Sequence, residues 1–233
     1  MKYNTVVFDL DNTLWDFKKN SILAIEYIRK YYQKKYGVKI IKKDFRDVYE
    51  EKNEKLWDEY RKGERTSKSI SFTRFMLVGD FLGLNIKKNE AIDIANMYLE
   101  ELYKGTILIE NAIEVLDYLS LKYKIGLITN GFKQGLVRLK RCGMDKYFAF
   151  ILSSEEYGYP KPNKGIFIYT SKMLGAKPNE CIYIGDNYEG DVIGAKNSGY
   201  GAIYFNPKEK DFSRYNEKPD FNISSLDEII KIL

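Results

Sequence analysis

The hydrophobic pattern divides this chain of 233 residues into two kinds of sequence. From about residue 21 to residue 104, apolar positions recur at the spacing of a helix, as at Ile22, Ile25 and Ile28, without a convincing strand. Before and after this block, short apolar runs typical of buried strands alternate with helical segments. Such alternation predicts a parallel sheet covered by helices on both faces.

We therefore predict an α/β fold, a Rossmann-like doubly wound parallel sheet with an all-helical domain inserted after the first strand. The core domain then comprises residues 1–16 and 108–233, and the inserted domain comprises residues 17–107. The predicted strands are 5–8, 125–128, 150–152, 182–184, 202–205 and 221–223. The predicted helices outside the insert are 112–121, 133–141, 164–174 and one that ends before Gly199.

Two carboxylates directly follow the first predicted strand. Asp9 and Asp11 stand two positions apart, so they would face the same side if the extended geometry of 5–8 continued. Two like charges that close together require a cation or a shared proton. The alternative is a solvated acidic turn, because Asp and Asn are common turn formers.

Polar residues around later predicted strands favour a binding site over a simple turn. Thr129 and Asn130 follow one strand, where a hydroxyl and the N–H groups of a turn suit a phosphate. Lys161 stands between two prolines, which stiffen the backbone and aim one cation. Asp186 and Asp191 follow another strand. Because open α/β sheets bind ligands outside the carboxyl ends of their strands, these segments predict one phosphate and metal site.

Taken in order, these motifs resemble those of the haloacid dehalogenase-like (HAD) hydrolase superfamily, and the match extends across the full chain. The resemblance implies that the helical insert is the cap of that family. Dehalogenase members lack the second acid of the first motif, so the presence of Asp11 implies a member that handles phosphate. The matching motifs are Asp9-x-Asp11-x-Thr13, Thr129, Lys161 and Gly185-Asp186-x-x-x-x-Asp191.

The predicted reaction is hydrolysis of a small phosphomonoester through an aspartyl-phosphate. Asp9 is the predicted nucleophile, and Asp11 is the predicted general acid and base. Mg²⁺ prefers oxygen ligands and usually takes one or two carboxylates besides substrate phosphate. The predicted metal ligands, which the resemblance also implies, are Asp9, the backbone carbonyl of Asp11, and Asp186.

The remaining motif residues are predicted to hold the phosphoryl group and the site itself. Thr129, the N–H of Asn130, and Lys161 would contact the phosphoryl oxygens and offset their charge in the transition state. Asn187 and Asp191 are expected to hold metal-bound water or Lys161. For Asp191 an alternative stays open, a charged residue at a helix start that the helix dipole favours.

Substrate choice is expected to come from the helical domain. Asn53, Trp57 and Tyr60 lie at i, i+4 and i+7, hence on one helical face. Such an aromatic stripe is more often the core of a helical domain. A buried amide needs partners, however, and a nucleobase would supply both stacking area and hydrogen bonds. We predict Asn53 and Trp57 as substrate-binding residues.

Three segments carry a second, narrower resemblance: Asn53-x-x-Leu56-Trp57-x-x-Tyr60-x-x-Gly63, Ile128 to Phe132, and Ser154-Glu155-Glu156-x-Gly158-x-x-Lys161-Pro162-Asn163. They resemble the bacterial pyrimidine 5′-nucleotidases. This resemblance implies a magnesium-dependent enzyme with a helical cap that acts on nucleoside monophosphates. The alternatives are a phosphatase of sugar phosphates or phosphoglycolate, a β-phosphoglucomutase-like enzyme and, more distantly, a receiver-type signalling domain.

Composition narrows the mechanism and the setting. The chain has no histidine, which excludes Ser-His and Cys-His mechanisms and leaves acid–base work to carboxylates. Cys142 and Cys181 lack metal-ligand spacing, and we interpret them as reduced thiols of a cytoplasmic protein. No signal peptide and no membrane span are expected. The net charge of +5 is dispersed among acids, so the expected partner is a small phosphomonoester and not a nucleic acid polymer.

Overall fold

The computed structural model describes residues 3–233, which form two compact units. One unit comprises the chain up to Phe17 together with Thr106–Leu233, and the other comprises Lys18–Gly105. The bounds predicted from the sequence differ from these by one or two residues. We call the first unit the core domain and the second the cap.

The core domain contains a six-stranded sheet in which all neighbouring strands run parallel. The strand order is β3-β2-β1-β4-β5-β6, and helices flank the sheet. The predicted doubly wound α/β fold is therefore confirmed. The strands are β1 Thr5–Phe8, β2 Lys124–Thr129, β3 Phe150–Ser153, β4 Cys181–Gly185, β5 Gly201–Phe205 and β6 Phe221–Ile223.

The strand order reverses direction at β1, which lies between β2 and β4. In the sheet, β2 and β3 lie on one side of β1, and β4 lies on the other side. Connections on opposite faces leave a crevice at the carboxyl ends of two such strands, where ligands of this architecture bind. The first and fourth motifs follow β1 and β4, so the topology places both at this crevice.

Short apolar runs make these strands because both sheet faces are covered. Every residue of β1, β4 and β5 is buried, and the core cluster combines Val7, Ile128 and Phe167 with the rings of Tyr183 and Tyr204. Strands that are buried on both faces need continuous apolar sequence in place of alternation. This explains why their sequences carry no polar positions on a solvent face.

The helices of the core domain are shorter than their sequence pattern predicts in two places. The predicted helix 133–141 consists of a 3₁₀ turn, Lys133–Leu136, followed by one short helix. Gly135 lies at the change and disfavours continuous helix. The helices are α5 Ala112–Ser120, α6 Val137–Arg141, α7 Ser154–Tyr157, α8 Lys164–Met173, α9 Gly194–Asn197 and α10 Ile229–Ile232.

The second difference lies in the segment after β4. A π-helical turn, Tyr188–Ile193, precedes α9 where one helix ending before Gly199 was predicted. The Asn187 side chain caps this turn by accepting from the N–H of Gly190 at 2.7 Å. Wide turns of this kind are frequent at functional sites. Here the turn carries Asp191 of the fourth motif.

The cap consists of four helices, with neighbours in sequence packed together from α2 to α4. Buried aromatic residues line its interior, among them Tyr32, Tyr49, Phe75 and Tyr98. Across the described residues, no helix combines the length and the apolar character that crossing a membrane would require. The cap helices are α1 Phe17–Tyr36, α2 Lys42–Arg61, α3 Ser67–Phe81 and α4 Lys88–Leu102.

Candidate active site

Asp9 lies at the carboxyl end of β1, where its backbone still pairs with the neighbouring strand. Its N–H donates to the carbonyl of Ile184 in β4 at 2.9 Å. This hydrogen bond extends the parallel ladder by one residue, so the position of the carboxylate is set by the sheet and not by a mobile loop. The side chain is buried, with 6% of the residue exposed.

Lys161 connects the first and fourth motifs through its ammonium group. Its Nζ lies 2.7 Å from Asp9 Oδ1, 2.7 Å from Asp191 Oδ1 and 2.6 Å from the hydroxyl of Tyr183. Both Lys161 and Asp191 are almost completely buried, at 2% and 1% exposure. An ammonium group has three protons to donate, and these three contacts use all of them. Lys161 is therefore fixed in place by the site.

Two side chains hold the backbone around this network. Asn130 accepts from the N–H of Lys161 at 2.8 Å and donates to its carbonyl at 3.1 Å, which ties the second motif to the third. The Tyr183 hydroxyl donates to the carbonyl of Ile128 at 3.0 Å. The main-chain N–H of Asn130 is predicted from the sequence to contact phosphate, whereas this use of its side chain was not predicted. That N–H contact stays a prediction.

Asp191 is engaged through both carboxylate oxygens. Oδ1 accepts from Lys161, and Oδ2 accepts from the N–H of Asn187 at 2.9 Å. Any side chain at Gly185 would collide with this carboxylate, so glycine at the end of β4 allows the close approach. The structure thus places Asp191 against Lys161, one of the two arrangements expected for it.

Burial and mutual repulsion change the acidity of these groups. Burial raises the pKa of Asp9 to about 7, although Lys161 acts in the opposite direction, and the charge of Asp191 adds to the rise. Burial also raises the pKa of Asp186 well above its ordinary range, and Asp9 and Asp191 contribute. For Lys161, the two carboxylates outweigh burial and raise the pKa. The site therefore carries more negative charge than its buried ammonium group neutralises.

The carboxylates form a cluster suited to a hard cation. Asp9, Asp186 and Asp191 each offer one oxygen, and these oxygens lie within 4.8 Å of one another. An all-oxygen set suits Mg²⁺, Ca²⁺ or Mn²⁺. A cation would also relieve the repulsion that raises the pKa of Asp9 and Asp186. The residues present therefore fit a divalent metal, although Asp191 was not among the predicted ligands and its oxygens already have partners.

Asp11 has a partner that sequence reasoning missed. Arg138 in α6 donates to Oδ1 of Asp11 at 2.5 Å through Nη1 and to Oδ2 at 3.3 Å through Nη2. Thr129 lies close by, since a Cβ built at Gly131 would lie 3.2 Å from the Thr129 hydroxyl and 3.3 Å from Asp11 Oδ2. Asp11 and Thr129, which the sequence analysis assigned to one site, are thus near each other. Arg138 lies 127 positions from Asp11 in sequence, and no motif spacing relates the two residues.

The two cap residues predicted to bind substrate, Asn53 and Trp57, have different neighbours. Asn53 accepts from Nη1 of Arg74 at 3.0 Å through its Oδ1. Trp57 is half-buried, and its ring meets that of Tyr60 edge to face at 5.6 Å beside buried Ile70. Trp57 thus contributes to cap packing. Its role in substrate binding, like that of Asn53, stays a prediction.

The family model for haloacid dehalogenase-like hydrolases matches residues 3–199. The chain belongs to the haloacid dehalogenase-like hydrolase family. This confirms the resemblance read from the four motifs, and it makes the chain a hydrolase by family. The distant receiver-type alternative does not account for this match.

The HAD relatives of this chain include nucleotidases. It is 30% identical to pyrimidine 5′-nucleotidase YjjG of Escherichia coli (strain K12), over 100% of this chain and 99% of the relative. It is 25% identical to pyrimidine 5′-nucleotidase PynA of Streptococcus pneumoniae, over 100% of this chain and 96% of the relative. The crystal structure of the putative HAD-hydrolase YfnB from Bacillus subtilis, bound to magnesium, superposes with a TM-score of 0.88. It has 25% sequence identity and covers 100% of this chain and 99% of that chain.

Proposed function

We propose that this HAD hydrolase is a magnesium-dependent phosphatase that acts on nucleoside 5′-monophosphates through an aspartyl-phosphate. The observation that carries the proposal is the contact of Lys161 with Asp9 in the crevice between β1 and β4. A buried carboxylate beside a fixed cation and two further acids is the arrangement that covalent phosphoryl transfer needs. The nucleotidase relatives support the choice of substrate.

In the first step, a carboxylate oxygen of Asp9 forms a bond to phosphorus while the bond from phosphorus to the ester oxygen breaks. Asp11 gives its proton to the departing alkoxide. Thr129 and the N–H of Asn130 contact the phosphoryl oxygens, whose charge increases in the transition state, and the nearby positive charge of Lys161 helps to offset that increase. The products of this step are the free alcohol and the phosphorylated Asp9.

In the second step, Asp11 removes a proton from water as the water oxygen attacks the phosphorylated Asp9. The bond between phosphorus and the Asp9 oxygen breaks, which releases inorganic phosphate and restores both carboxyl groups to their starting states. Asp9 and Asp186, with the backbone carbonyl of Asp11, would hold Mg²⁺. The ion, when bound, supplies charge neutralisation between carboxylates and phosphate.

A phosphate-release screen with Mg²⁺ tests the proposal. The substrates are the pyrimidine and purine nucleoside monophosphates, sugar phosphates and phosphoglycolate. We expect the highest kcat/KM on a nucleoside monophosphate and no turnover in excess chelator. Preference for a sugar phosphate would favour the sugar-phosphatase alternative, and transfer between two positions of one sugar without net release would favour a phosphomutase.

Asp9→Asn tests the covalent step, since the amide cannot attack phosphorus. We expect it to reduce turnover by more than about 1000-fold while the protein remains folded. Asp93→Asn, which changes an exposed acid of the cap in the same way, is the matched control and should leave turnover intact. Substantial phosphatase activity in purified Asp9→Asn protein would exclude Asp9 as the nucleophile.

A further inference from the structure

Arg138 holds the carboxylate of Asp11 with both branches of its guanidinium group. The Nη1–Oδ1 and Nη2–Oδ2 distances are 2.5 and 3.3 Å, so each carboxylate oxygen has its own donor. Paired contacts between the guanidinium fork and a carboxylate specify orientation as well as distance. The rotation of Asp11 about its side-chain bonds is therefore restricted by Arg138.

The guanidinium group is itself immobilised. Its Nε donates to the carbonyl of Gly135 at 2.8 Å, and its centre lies 4.2 Å from the ring centre of Trp15. The Trp15 ring is completely buried, and the carbonyl of Trp15 accepts from the N–H of Asn12 at 2.7 Å. Arg138 thus connects α6 to the same turn that carries Asp11. A cation already held by these two contacts loses little further freedom when it binds a carboxylate.

The two partners differ in their access to solvent. The side chain of Arg138 is 3% exposed, whereas that of Asp11 is 26% exposed. The guanidinium group therefore lies behind the carboxylate and leaves part of it open. A Cβ built at Gly131 would lie 3.3 Å from Asp11 Oδ2, 3.7 Å from Arg138 Nη2 and 3.2 Å from the Thr129 hydroxyl. Asp11 Oδ2 and the motif hydroxyl proposed to contact phosphate therefore both lie beside Gly131.

We propose that Arg138 is the positioning residue for the general acid Asp11, an inference that rests on the proposed phosphatase function. Arg138 neither gives nor takes a proton. It aims the carboxyl group, which transfers its proton to the ester oxygen as the bond to phosphorus breaks. It also offsets the negative charge that remains on Asp11 once the proton has left.

This role has a consequence that depends on the leaving group. An alkoxide, such as the ribose oxygen of a nucleoside monophosphate, needs a proton in order to depart. The nitrophenolate of p-nitrophenyl phosphate departs readily without one. The kcat/KM value covers only the steps up to release of the alcohol. Proton donation by Asp11 is therefore measured by the ratio of kcat/KM on the nucleoside monophosphate to kcat/KM on p-nitrophenyl phosphate.

The test is therefore this ratio in Arg138→Met, with Asp11→Asn, the double variant and Arg138→Lys for comparison. In Arg138→Met we expect kcat/KM on the nucleoside monophosphate to fall about 100-fold, as for a misplaced catalytic group, and the ratio to fall at least about tenfold. The double variant should be no worse than Asp11→Asn alone, since both changes remove one function. Arg138→Lys should recover part of the ratio through its retained charge.

Two controls separate positioning from folding. Lys140→Met removes an exposed cation from the same helix and should leave the ratio unchanged. Urea unfolding in chelator, which does not depend on activity, should show non-additive effects of Asp11→Asn and Arg138→Met, because the two side chains are in contact.

The possible outcomes distinguish this inference from the function on which it rests. Equal losses on both esters, or a double variant that is much worse than Asp11→Asn, would overturn the role of Arg138 and leave the phosphatase proposal standing. Additive unfolding effects would show that Asp11 and Arg138 do not interact, which would overturn the role of Arg138. If the wild-type protein hydrolyses neither ester, the phosphatase proposal fails, and the role of Arg138 fails with it.

Discussion

The core domain and the cap both bury long cationic side chains, and Lys161 of the core and Arg74 of the cap have opposite kinds of surroundings. In the core, Lys161 contacts the carboxylates of Asp9 and Asp191. In the cap, Arg74 is equally buried at 2%, but its side-chain acceptors are neutral, the hydroxyl of Tyr49 at 3.1 Å and the amide of Asn53 at 3.0 Å. Its guanidinium centre lies 4.6 Å from the ring centre of Tyr98.

The difference shows what each domain uses a buried charge for. Among residues 3–233, no carboxylate forms an ion pair with Arg74, and aromatic faces stabilise it instead. These neutral acceptors and aromatic faces stabilise the guanidinium group without placing an acid beside it, so the arrangement suits packing and not acid–base chemistry. The ammonium group of Lys161 is shared by two carboxylates beside a third, which creates the excess negative charge that phosphoryl transfer and a metal require. Burial alone therefore does not identify a catalytic cation; the charges around it do.

The largest expected effect is that of Lys161→Met. Phosphatase activity should fall by about 1000-fold, because the positive charge near the phosphoryl group and the hydrogen-bond donor to Asp9 are lost together. At pH 8 the free energy of unfolding should fall by about 3–5 kcal/mol, the usual cost of leaving buried carboxylates without their cation. Enzyme assays and urea titrations measure the two effects.

Lys196→Met is the matched control for this change. Lys196 pairs with Asp220 at 3.0 Å, and both side chains are about one quarter exposed. Its loss should cost at most about 1 kcal/mol, as for surface ion pairs. If Lys161→Met were no more destabilising than Lys196→Met, the carboxylates around Lys161 would not repel one another as strongly as we infer.

The second prediction concerns stability against pH in metal-free protein. The pKa of Asp9 is raised from 3.8 to about 7, so the folded state favours the protonated form. The stability contributed by this protonation is fully present below about pH 4 and is lost as the pH rises through about 7. The urea midpoint in chelator should therefore fall from pH 5 to pH 8, and less so in Asp9→Asn.

Added Mg²⁺ should raise the midpoint most at pH 8, where the carboxylates are ionised and repel one another most strongly. Asp186→Ala should weaken this effect of the metal. If Asp9→Asn lost as much stability between pH 5 and pH 8 as the wild type does, groups other than Asp9 would be responsible for the loss.

In the cap, we expect Arg74→Met to reduce the free energy of unfolding by about 2 kcal/mol, less than Lys161→Met. The change removes hydrogen bonds to neutral groups, and a methionine side chain fills aromatic-lined space well. Thermal or urea unfolding measures the loss, with Arg65→Met, a partly exposed ion pair of the cap, as control. A loss as large as that of Lys161→Met would contradict the contrast between the two domains.

The smallest expected effect belongs to Trp57→Ala. If Trp57 stacks on a nucleobase, kcat/KM should fall about tenfold on nucleoside monophosphates and less on p-nitrophenyl phosphate, since one stacked base is worth about 1–3 kcal/mol. Leu77→Ala is the control, because Leu77 packs against the same cluster without offering an aromatic face. Equal losses on both esters with a lower melting temperature would instead identify Trp57 as cap core.

Residues at strand ends were the most predictable part of the site. Asp9 and Asp186 follow apolar runs that are long enough to be strands, and parallel strands bring their carboxyl ends to one edge. Lys161 was predictable from its motif, but its contact with Tyr183 was not, because Tyr183 reads as one more apolar residue within β4. The phosphate contact predicted for Asn130 stays a prediction, and the use of its side chain depends on Lys161, which lies 31 positions away in sequence.

Local sequence by itself determined the strands, the inserted helical domain and the order of the four motifs, since hydrophobic periodicity and turn residues act over a few positions. Tertiary structure alone decided the partners of the charges. Arg138 reaches Asp11 across 127 positions of sequence, and Arg74 reaches Asn53 across 21. Such pairs form only when folding brings distant segments together, and the resulting orientation of each side chain depends on neighbours that no local pattern specifies.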